Sequence, residues 1–271
     1  LKKVATIQDI SCVGKCSLTV ALPLISAMGV ECAIIPTAVL STHTAFKEGW
    51  TFRDLTSDIT PILDHWKREK FAFDALYSGY LGSFEQIELV KKMYADFGKN
   101  ALKVVDPCMA DNGKLYHGFT PEFALHMAKL CAHADIIVPN LTEASFMLNR
   151  PYKAAFSQSE VEEILRSLHK LGAKKVVLKG VSFEEGRLGI ASFDGVNTRY
   201  YFHEKVAQSF HGTGDIFASV LVGALVREKS LEEAYKMAGN FVVSCIKETL
   251  RHSDHNTYGV DFESCIKEVV F

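Results

Sequence analysis

Short apolar runs alternate with longer amphipathic stretches along most of the chain. The runs at 3–7 (KVATI), 31–39 (ECAIIPTAV), 74–77 (DALY), 102–105 (LKVV), 135–138 (DIIV) and 174–178 (KKVVL) read as strands. Between them, apolar residues recur at helical spacing over 15–28, 53–69, 84–97, 121–132, 142–148 and 157–171. Strands apolar on both faces, separated by helices, predict a parallel sheet covered on both sides. After residue 178 the pattern changes. Residues 188–193 and 198–203 flank Asp194-Gly195, a hairpin signal because both turn residues tolerate positive φ. Helical segments follow at 213–227, 231–249 and, briefly, about 260–269. No linker, repeat or low-complexity stretch interrupts the series. Residues 1–271 therefore read as one α/β domain in three αβα layers, a mostly parallel sheet with a C-terminal antiparallel hairpin.

Composition narrows the function classes. With 30 Lys+Arg against 32 Asp+Glu, the net charge of −2 lacks the basic footprint of a general nucleic-acid binder. A hydrophobic content of 48% offsets the entropy of ordering and excludes extensive disorder. The run AIIPTAVL is too short and too Pro-broken to span a bilayer, which needs about 20 residues, so no membrane partner is expected. The start LKKVATIQDI reads as a strand, not a signal peptide. Seven cysteines, an odd number without a CxxC pair, read as reduced thiols of a cytoplasmic protein.

Open parallel sheets bind ligands outside the carboxyl ends of their strands. Six such ends carry polar clusters: Asp9 and Ser11, Ser41-Thr42-His43-Thr44, Ser78-Gly79-Tyr80, Asp106-Pro107 with Asp111 beyond, Pro139-Asn140 with Glu143, and Lys179-Gly180. The sharpest local feature is His211-Gly212-Thr213-Gly214-Asp215, a Gly-rich turn opening an apolar helix. First-turn amides and the helix dipole make such a turn an anion site for phosphoryl oxygens, and Asp215 is placed to take a proton from a hydroxyl. The same pattern also serves as a plain helix start. Asn140 and Glu143 fit a capping box as well as a site near hydrated Mg²⁺. Val13-Gly14-Lys15-Cys16 lacks two fixed positions of a P-loop, and no GxGxxG follows a strand. Arg251-His252-Ser253-Asp254-His255 reads as a solvated helix end.

Taken together, the clusters resemble the ribokinase-like superfamily and, within it, the pyridoxal (vitamin B6) kinases. Gly212-Thr213-Gly214-Asp215 resembles the superfamily's anion hole and catalytic aspartate. Ser41-Thr42-His43-Thr44 resembles a Ser-Asn-His-Thr segment with Thr42 in place of Asn. Ser78 to Ser83, Asp106 to Asp111 and Pro139 to Glu143 resemble further family segments, in family order. The resemblance implies ATP- and Mg²⁺-dependent phosphorylation of the 5′-hydroxymethyl group of a B6 vitamer by a homodimer. It implies Asp215 as base, with Gly212, Thr213 and Gly214 around the transferring group. It further implies Asp106 and Glu143 near Mg²⁺, and Asn140, Lys179 and Thr213 at ATP. His43, Thr44 and Tyr80, with Asp9 and Ser11, would line the vitamer pocket. Asp9 departs from the Ser common there, and Lys179-Gly180 is closer to hydroxymethylpyrimidine kinases, an alternative activity on the same machinery. Cys108 stands where Val is common and reads as a small filler. A non-catalytic vitamin-binding protein is a third reading, disfavoured by Asp215. The loops 41–52 and 108–119 are candidate lids.

Overall fold

The computed structural model describes residues 1–46, 49–255 and 258–271. The elements run β1 (Lys3–Val13), α1 (Leu18–Ala27), β2 (Glu31–Thr42), β3 (Phe52–Asp54), α2 (Thr56–Arg68), β4 (Ala75–Ser78), α3 (Phe84–Phe97) and β5 (Leu102–Val105). There follow β6 (Ala110–Asp111), β7 (Lys114–Leu115), α4 (Pro121–Cys131), β8 (Ile136–Ile137), α5 (Leu141–Met147), α6 (Gln158–Lys170) and β9 (Lys175–Val181). The chain closes with β10 (Arg187–Phe193), β11 (Thr198–Glu204), α7 (Thr213–Val226), α8 (Leu231–Thr249), α9 (Phe262–Cys265) and a 3₁₀ turn at Ile266–Val269.

The main sheet has nine strands in the order β11-β10-β9-β8-β5-β4-β1-β2-β3. Its central pairs, from β9 across to β2, are parallel, while β9–β10, β10–β11 and β2–β3 are antiparallel. Successive strand residues face opposite sides. Val4, Ala75, Tyr77, Val104, Ile136 and Val177 join a core with α1, α7 and α8. Their neighbours Ala5, Leu76, Val105, Ile137 and Val176 join a second core with α2, α3, α4 and α6. Burial on both faces is why these strands are continuous apolar runs. The predicted α/β architecture is therefore present, hairpin included. Among the described residues no helix is long and apolar enough to cross a membrane.

The differences lie at the strand ends. β1 and β2 stay paired as far as Val13 opposite Thr42, beyond the predicted limits at 7 and 39. Their last residues are polar because they face a crevice, so the hydrophobic pattern stops before the strand does. Asp9 and Ser11 thus lie within β1 instead of after it, and Lys179 lies within β9. Residues 52–54, read as helix or loop, instead form an edge strand on Ala38–Leu40. The candidate lid at 108–119 contains the β6–β7 hairpin, turned by Asn112 (φ 50°) and Gly113 (φ 76°). Of the other candidate lid, 41–52, positions 47 and 48 lie outside the described residues.

Leu24 on α1 is fully buried in the core shared with α7. Leu24→Ala is expected to cost about 2–5 kcal/mol, from lost transfer free energy plus a cavity. The readout is a lower urea midpoint at unchanged m-value.

Candidate active site

The first turn of α7 is shaped by one close approach. Gly212 adopts φ 78°, and a Cβ there would sit 1.7 Å from the Lys15 carbonyl oxygen. Only glycine allows the β1–α1 loop to press against the helix start. By position, the first-turn amides have no partner within the helix. Gly214 faces Lys179, whose Nζ would lie 3.5 Å from an added Cβ.

That contact sets the start of α7 beside β9. Asp215 is 6% exposed, and the Ser17 amide donates to its carboxylate. Ser17 holds φ 49°, an uncommon value for a residue with a side chain, at the N-cap of α1. The other carboxylate oxygen, Oδ1, is buried without a partner among the described residues. Burial first, and then the charge of Asp106, push the Asp215 carboxyl up to about 7.

Lys179 supplies the positive charge. Its Nζ lies 3.0 Å from both Asp106 oxygens. Burial works against the ammonium, but Asp106 and Glu143 outweigh it and raise it to about 12. Gly180 (φ 79°) forms the bulge that lets β9 continue past this pair, where the register against β10 shifts. Glu143, 2% exposed, closes a capping box with Asn140 and also accepts from the Met109 amide at 3.3 Å. Burial, opposed by Lys179 but aided by Asp106, pushes its carboxyl up to about 8. The Asn140 side chain donates to the Ala110 carbonyl at 2.8 Å, pinning the β6–β7 hairpin. The structural reading of the Asn140–Glu143 pair is thus realised in full.

Asp9, Ser11, His43, Thr44, Tyr80, Gly212 and Asp215 all line one cavity of about 180 Å³. These predicted residues come from β1, the end of β2, the turn after β4 and the start of α7. Asp106, Asn140, Glu143, Lys179, Thr213 and Gly214 do not line that cavity, although Asp106 and Lys179 act electrostatically on Asp215. His43 accepts from the Ala45 amide at Nδ1, so its Nε2, 3.2 Å from the Tyr258 carbonyl, carries the proton. Burial, with His211 adding, holds its pKa below the usual value. The Lys15 amide donates to the same Tyr258 carbonyl at 3.4 Å.

Sequence reasoning missed Cys16, Ser17, Tyr116, His117 and His211 in the cavity wall. His211 was legible as the residue before Gly212; Ser17 carried no pattern signal. Cys108 lines the wall too, its thiol kept protonated by burial and the surrounding carboxylates. Of the cluster read as a solvated helix end, Arg251, His252, Ser253 and Asp254 are exposed, while His255 is half-buried against Phe210 with ring centroids 5.7 Å apart. Among the described residues no group of three or more His, Cys, Asp or Glu is placed to cage a metal.

Comparisons with known proteins identify the family and fold. The phosphomethylpyrimidine kinase family profile matches residues 22–259. A protein from Bacteroides thetaiotaomicron classed with the phosphomethylpyrimidine kinases, solved in a form with pyridoxal, is 36% identical. It superposes with a TM-score of 0.94 over 100% of this chain and 96% of its own. Pyridoxal kinase from Lactobacillus plantarum is 30% identical, with a TM-score of 0.91 over 99% of this chain and 96% of its own. A bifunctional thiamine-biosynthesis enzyme from Arabidopsis thaliana is 28% identical over 226 residues, which cover 82% of this chain but 42% of the plant protein. The chain belongs to the phosphomethylpyrimidine kinase family of the ribokinase-like superfamily, which includes the pyridoxal kinases, and is a kinase.

Proposed function

We propose that residues 1–271 act as one kinase domain that transfers the γ-phosphoryl group of ATP to the 5′-hydroxymethyl group of pyridoxal, pyridoxamine or pyridoxine. The observation that carries this reading is the free Oδ1 of Asp215, buried at the wall of a small aromatic-lined cavity beside the start of α7. The relative solved with pyridoxal supports a vitamer as occupant. In the reaction the hydroxyl oxygen bonds to the γ-phosphorus, and the bond to the β,γ-bridging oxygen breaks. ADP departs with that electron pair, and the hydroxyl proton passes to Asp215 Oδ1. The amides of Gly212, Thr213 and Gly214 stabilise charge on the transferring group, since such transfer is mostly positioning and charge neutralisation. His43, Thr44, Tyr80, Ser11 and Asp9 hold the vitamer. Lys179 and Thr213 serve the ATP phosphates; Asn140 reaches one only by giving up the Ala110 carbonyl.

Asp106 and Glu143 offer hard oxygens, but Lys179 and backbone amides already engage all four. The pair therefore fits a hydrated Mg²⁺ held through its waters. Bound with ATP, such an ion would supply neutralisation of phosphate charge. A second reading, a hydroxymethylpyrimidine kinase, is favoured by the family profile and uses the same residues.

An ADP-release assay with the three vitamers and hydroxymethylpyrimidine separates the readings. Turnover of hydroxymethylpyrimidine alone overturns the vitamer assignment. Asp215→Asn is expected to lose about 10²–10⁴-fold in kcat. In the wild type, kcat/KM should rise with pH through about 7, as Asp215 gives up its proton. Because its folded pKa is raised above 3.8, its contribution to stability is present at low pH and lost as pH rises through about 7. Asp215→Asn should therefore melt above wild type at pH 8, which distinguishes lost chemistry from misfolding. Gly212→Ala is expected to lower both thermal stability and kcat, because a Cβ there would drive the Lys15 carbonyl from the helix start.

A further inference from the structure

Asp9, placed above among the residues that hold the vitamer, is the one carboxylate of the cavity wall whose charge has not been put to use. Its side chain is 5% exposed and still lines the cavity. Its hydrogen-bond partners are all neutral: the hydroxyls of Ser11, at 3.2 Å, and Ser17, and its own backbone amide. The lysines nearest the crevice are committed elsewhere. Lys179 is held by Asp106, and Lys15 by Asp261 at 2.7 Å and Glu263 at 2.8 Å.

The backbone puts the carboxylate there. β1 and β2 are in register through Gln8 opposite Pro36, and again from Ile10 opposite Val39. Two β2 residues, Thr37 and Ala38, therefore stand against Asp9 alone. Such a bulge re-aims a side chain, and bulges recur beside active sites. A buried carboxylate with only neutral partners is costly, and a cationic ligand relieves that cost. Asp215, with an unpartnered oxygen on the same cavity wall, adds to the negative field.

Resting on the kinase reading above, we propose that Asp9 is a specificity-determining residue. It selects a planar heteroaromatic alcohol that carries a protonated nitrogen, by accepting a charge-assisted hydrogen bond from it. The nitrogen is either in the ring or on an aminomethyl arm, and the experiment separates these sources.

Binding is measured by calorimetry without nucleotide for wild type, Asp9→Asn and Asp9→Ser. The ligands are pyridoxal, pyridoxamine, pyridoxine and a carbocyclic pyridoxine analogue with carbon in place of the ring nitrogen. If the ring nitrogen is the donor, Asp9→Asn weakens all three vitamers by about 10- to 100-fold and leaves the analogue unchanged. If the arm is the donor, only pyridoxamine weakens. Unchanged affinities overturn the proposal, as does an equal loss for every ligand, which would mean that Asp9 only shapes the cavity. Thermal melting guards against misfolding: removing a buried charge should leave Asp9→Asn at least as stable as wild type, and Asp9→Ser supplies a second, smaller neutral side chain. Wild-type protein that binds no vitamer overturns the substrate assignment and this proposal with it. Vitamer binding that is indifferent to Asp9 overturns this proposal alone.

Discussion

The crevice depends on one ion pair. Asp106 directly follows β5 and Lys179 lies within β9, and one ammonium bridges both carboxylate oxygens at 3.0 Å. Glu143 and Asp215 feel its charges, Asp9 in turn acts on Asp215, and all three are almost fully buried. Carboxylates so near one another in low dielectric repel, and each is costly to desolvate. Lys179 lowers that cost for Asp106, Glu143 and Asp215 together, since its charge opposes the upward shift at each of them. Without it the sheet would have to bury negative charge with no counterion, or leave the carboxyls protonated and chemically idle. The strand order β8-β5 between β9 and β4 is what sets this cation among acids drawn from distant parts of the chain.

Much of the fold was legible because its signal is periodic. Val104-Val105, Ile136-Ile137 and Val176-Val177 are apolar on both faces, so their burial between helices followed directly. The site was legible only as a set. Asp9, His43, Tyr80 and Asp215 each admit a structural reading, and six clusters at six strand ends carried the argument. Hydrophobicity could not give the true ends of β1 and β2, because a strand that lines a crevice turns polar while its ladder continues. The Asn112-Gly113 turn was readable in principle but too short to stand out from a loop. Ser17 was not readable at all: its strained backbone and its amide on Asp215 are imposed by the packing of α1 against α7.

The site also opposes the stability of the molecule that carries it. In the proposed role of base, Asp215 would gain from the burial that raises its carboxyl towards neutrality, and that same burial disfavours the charged form such a role needs. Ser17 adds backbone strain at the same place. The two extensive apolar cores on either side of the sheet supply the stability that tolerates both.

Lys15 draws a last consequence from the meeting of distant segments. Its carbonyl packs on Gly212, its amide donates to Tyr258, and its ammonium is gripped by Asp261 and Glu263. These partners are synthesised some 200 to 250 residues after it. During translation the β1–α1 loop therefore lacks these restraints until residues as late as Glu263 have left the ribosome. The loop that packs on the start of α7 is thus fixed by residues that follow every strand of the main sheet.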